Sequence, residues 1–196
     1  EIEWAKVSML TPQTYAVAAR RARRDPAGLD VTAMARVWET YEERKAERGV
    51  IDFEDVLLLT AGILAEREDI ARVVRDQYRH FVVDEYQDVN ALQQHLLELW
   101  LGGREDICVV GDPAQTIYSF TGATPEHLLR FPARFPSASV VRLVRNYRST
   151  PQIVHVANLV LGAGSRTNTP LRAQGRPGPE PSLTAYEDEP AEAAGV

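Results

Sequence analysis

Lysine is almost missing from this chain: Lys6 and Lys45 are the only two among 22 basic residues, and neither lies in glycine-rich surroundings. No G-x-x-x-x-G-K-[ST] phosphate loop occurs anywhere in the 196 residues, which excludes a self-contained site of the kind that cradles nucleotide phosphates. Cysteine is reduced to Cys108, so an internal disulfide is excluded; its place in the run Ile107-Cys108-Val109-Val110 predicts a small buried hydrophobe without a redox role. Long apolar runs are missing as well. The longest, Val56 to Ala65, reaches only about half a membrane span and carries Thr60 and Gly62. The first residues lack the basic start of a secretion signal, and the expectation is a cytoplasmic protein with no membrane partner.

What remains is ordinary for a globular protein of one or two domains: 44% apolar and 26% charged residues. The net charge of -6 argues against nucleic acid unless basic residues cluster locally. Arg20, Arg21, Arg23 and Arg24 are such a cluster, although most charge clusters are solvated faces. The Arg-, Ala- and Pro-rich composition with few lysines fits a GC-rich bacterial genome.

Residues 1–79 read as helices. Thr11-Pro12 has the form of a cap followed by proline at the first helical position, and Val31 to Glu47 carries Met34, Val37, Trp38 and Tyr41 at helical spacing, stopped by Gly49. Asp52 is placed to cap a helix through Phe53, Val56, Leu57, Leu59, Ile63 and Leu64, and another helix is expected from Asp69 to about Tyr78. From Phe81 the pattern changes to short apolar runs, Phe81–Val83, Ile107–Val110 and Val140–Val144, separated by helical segments at Ala91–Leu101 and after Thr124-Pro125-Glu126. This alternation predicts an α/β fold, a helical N-terminal part followed by a parallel sheet with crossover helices. Ser149-Thr150-Pro151-Gln152 reads as a capping box opening a helix to about Leu161, and an apolar stretch near Leu183 is a candidate further strand.

Ligands of open parallel sheets bind beyond the carboxyl ends of the strands. The three apolar runs end in Asp84-Glu85, in Gly111-Asp112 and in Arg145-Asn146-Tyr147-Arg148, which predicts three polar strand ends on one edge. Adjacent carboxylates after a hydrophobic strand suit a nucleotide hydrolase, one holding Mg²⁺ and the other polarising water. A bare Asp-Glu pair is more often a cap beside a solvated carboxylate; the continuation Tyr86-Gln87-Asp88 and the two further polar ends weigh against that. Asp112 before Pro113 also has the form of an N-cap. Tyr118 and Phe120, two apart, would face one way in an extended segment and could stack on successive bases of a single strand.

FVVDEYQDVNALQ resembles motif II of the UvrD/PcrA/Rep branch of superfamily 1 DNA helicases, and VVGDPAQTIYSFTGA resembles their motif III. Asn146-Tyr147-Arg148-Ser149 is similar to motif IV, and Asp52-Phe53-Glu54-Asp55-Val56-Leu57-Leu58 to the acidic-aromatic segment that precedes motif II. The matches fall in family order over about residues 50 to 160. The resemblance implies Asp84 for Mg²⁺, Glu85 as the residue activating water, Gln115 as a γ-phosphate sensor, Tyr147 stacked near adenine and Arg148 as an arginine finger. It implies ATP and Mg²⁺ as cofactors and single-stranded DNA and single-strand/duplex junctions as partners, with Tyr118 and Phe120 on the bases and Arg20, Arg21, Arg23 and Arg24 near phosphate.

Thr121 stands where family members commonly carry arginine, so no basic contact is assigned there. The resemblance further implies RecA-like P-loop domains, with residues 1–79 ending accessory domain 1B, 80–145 forming the second half of domain 1A and 146–196 beginning domain 2A. Without a phosphate loop or motifs V and VI, the segment is expected to be an inactive internal piece of a nucleoid-associated helicase for DNA repair or replication, moving 3′ to 5′. A degenerate motor used as a binding or regulatory module, or the motor of a helicase-nuclease, are the alternatives.

Overall fold

The computed structural model describes residues 1–26, 28–164 and 169–195, and the chain divides into two compact units, 1–138 and 139–196. The first unit opens with helices α1 (Ile2–Val7), α2 (Pro12–Arg21), α3 (Val31–Arg48), α4 (Phe53–Glu66) and α5 (Glu68–Gln77). Local chemistry sets their ends. Thr11 and Thr14 form a capping box at the start of α2, Asp30 accepts the Thr32 N–H at α3, and Asp52 and Asp55 reciprocate at α4. Gly49 closes α3 at φ 63°, a left-handed conformation that favours glycine.

Helices α1 to α3 share a core of Ala5, Tyr15, Ala19, Val31, Met34 and Trp38. Tyr15 packs edge-on between Trp4 and Trp38, with ring centroids 6.3 and 6.1 Å away. Its hydroxyl donates to Glu1 at 3.1 Å, and burial, reinforced by that carboxylate, pushes its pKa up to about 12.

Strands β1 (Phe81–Val83) and β2 (Ile107–Val109) pair in parallel in the register Phe81↔Ile107, Val82↔Cys108, Val83↔Val109, with helix α6 (Ala91–Leu101) between them in sequence. Asn90 and Gln93 cap α6, and Gly102 ends it at φ 57°. The α6 face carrying Leu97 and Leu101 meets Tyr86 and Phe131, while Leu96 joins Ala61, Leu64 and Ala71 of α4 and α5. Arg104 binds these layers by donating to the carbonyls of Leu101, Arg75, Tyr78 and Trp100 at 2.9 to 3.1 Å, which satisfies terminal acceptors of α5 and α6 together. Short helices α7 (Glu126–Leu129) and α8 (Phe131–Arg134) complete the unit.

The second unit contains β3 (Arg145–Asn146), α9 (Pro151–Gly164), β4 (Arg172–Ala173) and α10 (Glu189–Gly195), with β3 and β4 parallel. Asn158 fastens β4 to α9 by accepting the Leu171 N–H and donating to the Leu171 carbonyl, both at 2.9 Å.

Several expectations are corrected. Val140 to Val144 form no strand: Val140, Val141 and Leu143 are exposed, and β4 reaches the run at its end, where the Arg172 N–H donates to the Val144 carbonyl at 2.7 Å. The third polar end therefore belongs to a separate two-stranded sheet, and the described strands do not form one three-stranded edge. Leu183 lies in irregular, fully exposed chain; the strand of that region is β4. Cys108 is exposed, because β1 and β2 bury one face against α6 while Val82 and Cys108 occupy the other. At α9 the N–H of Ile153 meets Thr150 Oγ1 at 3.5 Å, and Gln152 accepts from Gly178 at 3.1 Å, so the Ser149–Gln152 box does not form. Among the described residues, no helix is long and apolar enough to cross a membrane.

Candidate functional site

The ends of β1 and β2 lie side by side and are knitted beyond the strands themselves. Val110 donates to the Val83 carbonyl at 2.8 Å, and Tyr86 donates to the Val110 carbonyl at 2.9 Å. Between them Glu85 turns the chain at φ 52°, ψ 38°, a left-handed conformation uncommon for a residue with a side chain. Asp84 supports that turn, its Oδ1 accepting the Glu85 N–H at 2.9 Å. The following 3₁₀ turn, Tyr86–Asp88, is anchored by Tyr86, which is 1% exposed, stacks edge-on against Phe131 and donates its hydroxyl to Gln94 at 2.6 Å. Gln94 continues to Glu98, and Glu98 pairs with Arg134, so the polar groups beneath the turn form one connected network.

Asp84 and Glu85 are exposed at one end of an open groove of about 490 Å³ lined also by Val83, Asp88, Val89 and Trp100. Among the described residues Asp84 Oδ2 engages no protein donor, which leaves a carboxylate oxygen suited to a hard cation that keeps most of its waters. The residues present thus fit the metal side of a nucleotide site. They do not supply its phosphate side.

Neither lysine is free for that task. Lys6, 3% exposed, donates to both oxygens of Asp52 at 2.7 Å and to Asp55, and Lys45 donates to Asp52 at 2.9 Å and pairs with Glu42 at 2.7 Å. Glu42, Asp52 and Asp55 come within 4.8 Å of one another, a spacing that could hold a metal ion, but the two ammonium groups already occupy it. Burial pushes the Asp52 carboxyl up, yet hydrogen bonds from Lys6 and Lys45 overcome this and hold it well below the usual carboxylate range. Tyr41 also donates to Asp52, at 3.0 Å. Asp52 and Asp55 of the acidic-aromatic segment therefore form a partly buried ionic joint between α1, α3 and α4.

At the end of β2, Asp112 caps the 3₁₀ turn Pro113–Gln115: Oδ1 accepts the Ala114 N–H and Oδ2 the Gln115 side-chain amide, both at 3.0 Å. The loop then passes through Tyr118 and the 3₁₀ turn Ser119–Thr121, not through an extended segment. Tyr118 and Phe120 nevertheless adjoin, with centroids 6.2 Å apart, and at 51% and 64% exposed they do not fill core. Thr121 bonds its own loop, donating to the Tyr118 carbonyl at 2.9 Å. Gly122, at φ 105°, seats the loop on α1, where an added Cβ would come 2.9 Å from Val7.

The arginine cluster separates in space. Arg24 is held by Glu1 at 2.7 Å, lies over the Trp4 ring at 4.7 Å and donates to the Phe120 carbonyl at 3.1 Å, so its guanidinium braces the aromatic loop. Arg20 donates to Thr32 at 3.3 Å, and Arg20, Arg21 and Arg23 are exposed. In the second unit Tyr147 is 72% exposed and Arg148 is also exposed. Asn146 Oδ1 accepts the N–H groups of Arg148 and Ser149 at 3.1 and 2.8 Å, so an Asn side chain shapes the motif.

Sequence reasoning passed over Gln87 as a site residue. It is 1% exposed, donates to Glu85 Oε2 at 2.7 Å and accepts the Asp112 N–H at 3.0 Å. The signal was an amide directly after a Glu-Tyr pair that turns out to be the site's corner.

Paired carboxylates thus stand at one strand end, an amide is held at the next, and exposed aromatics lie in the loop that follows. The chain belongs to the UvrD/REP helicase N-terminal domain family, whose model matches residues 2–136. It is 53% identical over its whole length to the ATP-dependent DNA helicase UvrD2 of Mycobacterium tuberculosis, of which it covers 29%. It is 36% identical to Rep of Escherichia coli over 65% of the chain and 19% of that protein, and 34% identical to PcrA of Leuconostoc citreum over 80% and 20%. The chain thus spans less than a third of the length of these relatives.

Proposed function

We propose that the longer protein carrying this segment is an ATP-dependent DNA helicase or translocase that moves 3′ to 5′ on single-stranded DNA and opens single-strand/duplex junctions during repair or replication. The observation that carries this reading is the junction of Asp84-Glu85 with Asp112 and Gln115 at two adjacent strand ends, with Tyr118 and Phe120 exposed in the same loop. Names of relatives that are ATP-dependent DNA helicases support it. In this reading residues 1–79 end the accessory domain 1B, residues 80–145 belong to RecA-like domain 1A and residues 146–196 begin domain 2A. The protein works in the bacterial cytoplasm, at the nucleoid.

Mg²⁺ with ATP supplies charge neutralisation at the transferring phosphate when bound. Asp84 offers its free oxygen to the cation. Glu85 accepts a proton from, and orients, the attacking water. Gln115 senses the γ-phosphate, Tyr147 packs on adenine, and Arg148 adds the finger charge. Tyr118 and Phe120 stack on bases without reading sequence, as translocation requires. The segment by itself hydrolyses no ATP, because it contains no phosphate loop and both its lysines are held in the Asp52–Asp55 joint.

The test is ATP turnover by the full-length protein with and without single-stranded DNA. Glu85→Gln is expected to abolish turnover and leave nucleotide binding intact. Wild-type turnover in that variant refutes the role given to Glu85, and a wild-type protein with no DNA-stimulated turnover refutes the motor.

A further inference from the structure

Gln87 is buried, and a buried primary amide requires partners of matching polarity on both its ends. Nε2 donates to Glu85 Oε2 at 2.7 Å and, at 3.3 Å, to Asp88, while Oε1 accepts the Asp112 N–H at 3.0 Å. Rotating the amide by half a turn would set oxygen against a carboxylate and nitrogen against an N–H, so the surroundings fix its orientation. The space for it is made by Gly111: a Cβ there would lie 2.6 Å from Gln87 Oε1 and 3.2 Å from the Gln87 backbone nitrogen. Asp112 in turn holds the Gln115 amide at 3.0 Å. A continuous hydrogen-bonded path therefore runs from Glu85 through Gln87 and Asp112 to Gln115, with Tyr118 and Phe120 a short step beyond.

We propose that Gln87 is a positioning residue that fixes the Glu85 carboxylate and ties it, through Asp112, to Gln115, so that the hydrolytic carboxylate and the base-stacking loop respond to each other. The inference rests on the roles given to Glu85 and Gln115 above. Residue 87 must donate to a carboxylate and accept from a backbone amide at once, and a glutamine side chain does both at this reach. Glutamate keeps the acceptor but sets like charge against Glu85; methionine keeps the volume and loses both bonds.

The experiment uses the full-length protein, with steady-state ATP hydrolysis measured with and without single-stranded DNA and nucleotide affinity measured with a fluorescent ATP analogue. Wild type must hydrolyse ATP and Glu85→Gln must not; failure of either control removes the underlying reading of the site, whatever Gln87 does. With both controls in place, Gln87→Met is expected to lower kcat about 10- to 100-fold with nucleotide affinity changed less than about 2-fold. Gly111→Ala should reproduce the effect, since its methyl displaces the amide while leaving Gln87 itself intact. Gln87→Met combined with Gln115→Ala should reduce DNA stimulation no further than either change alone.

Wild-type kcat in Gln87→Met, nucleotide affinity that falls in step with kcat, or independent effects in the double variant each overturn the proposal. Should Gln87→Met fail to fold by circular dichroism, Gln87→Glu decides: it retains the bond from Asp112, is expected to lose kcat through Glu85 alone, and overturns the proposal if its kcat is that of wild type.

Discussion

Replacing Lys6 by methionine tests the ionic joint that holds α1, α3 and α4 together. The ammonium, 3% exposed, lies 2.7 Å from both oxygens of Asp52, contacts Asp55 and sits 3.4 Å from Glu42. Its removal leaves three carboxylates facing Lys45 alone. Breaking a buried pair by deleting one partner costs about 3–5 kcal/mol, chiefly because the remaining charge is left uncompensated. Asp52 and Asp55 retain 18% and 17% side-chain exposure, so water reaches them in part, and the lower end, about 3 kcal/mol, is expected here. In urea that is a midpoint shift of roughly 1.5 M at a slope of about 2 kcal/mol/M. Trp38, one of three tryptophans, donates to Glu42 at 2.9 Å beside the joint, so tryptophan fluorescence follows the transition.

The pH dependence of this cost has a definite sign. Against the opposing effect of burial, lysine hydrogen bonds hold the Asp52 and Asp55 carboxyls below their ordinary range, so their stabilising contribution is present above the unfolded value near about 4 and is lost as pH falls through the folded values. The difference between wild type and Lys6→Met should therefore be full at neutral pH and shrink steadily below about pH 5. A midpoint shift under about 0.3 M at pH 7, or a difference that grows on acidification, refutes the reasoning.

Two further outcomes concern the proposed motor. Arg148→Ala in the full-length protein should cut ATP turnover by about three to five orders of magnitude while leaving DNA affinity in place, measured by hydrolysis and by fluorescence anisotropy; near-normal turnover removes the finger assignment. Replacing Arg20, Arg21 and Arg23 together by alanine should flatten the dependence of DNA affinity on salt, because every single-strand phosphate that these arginines no longer neutralise lowers the log–log slope by about 0.7. An unchanged slope places those side chains on a solvated face. Arg24 is left out of that triple because its guanidinium is engaged by Glu1, Trp4 and Phe120, and its loss would disturb the aromatic loop directly.

Helix ends in this chain were legible because their determinants are local. Thr11-Pro12, Asp52 and Gly49 each cap or stop a helix within a few residues of themselves, and α6 spans the same Ala91–Leu101 that its periodicity marks. Strands are different: a strand exists only where a partner supplies a ladder. Val140 to Val144 has the composition of a buried strand but meets β4 at its last carbonyl, that of Val144, whereas Arg145-Asn146 and Arg172-Ala173 have little strand character and pair with each other. Cys108 was misjudged for a related reason, since an apolar run does not tell which face of a two-stranded sheet is covered.

The site divides along the same line. Asp84, Glu85, Gln115, Tyr118 and Phe120 stand out by residue type and order, because each role proposed for them rests on its own side chain. What joins them depends on register. Pairing Val83 with Val109 sets Gly111 against Gln87, and only then does the buried amide span from Glu85 to the Asp112 N–H. A shift of β2 by one residue would move the missing Cβ away from Gln87 and carry the Asp112 N–H out of reach, breaking the link to Gln115 while leaving every motif residue in place. The motif letters thus mark the residues of the proposed site, and Gly111, two residues beyond β2, leaves the space through which the Gln87 amide joins two of them.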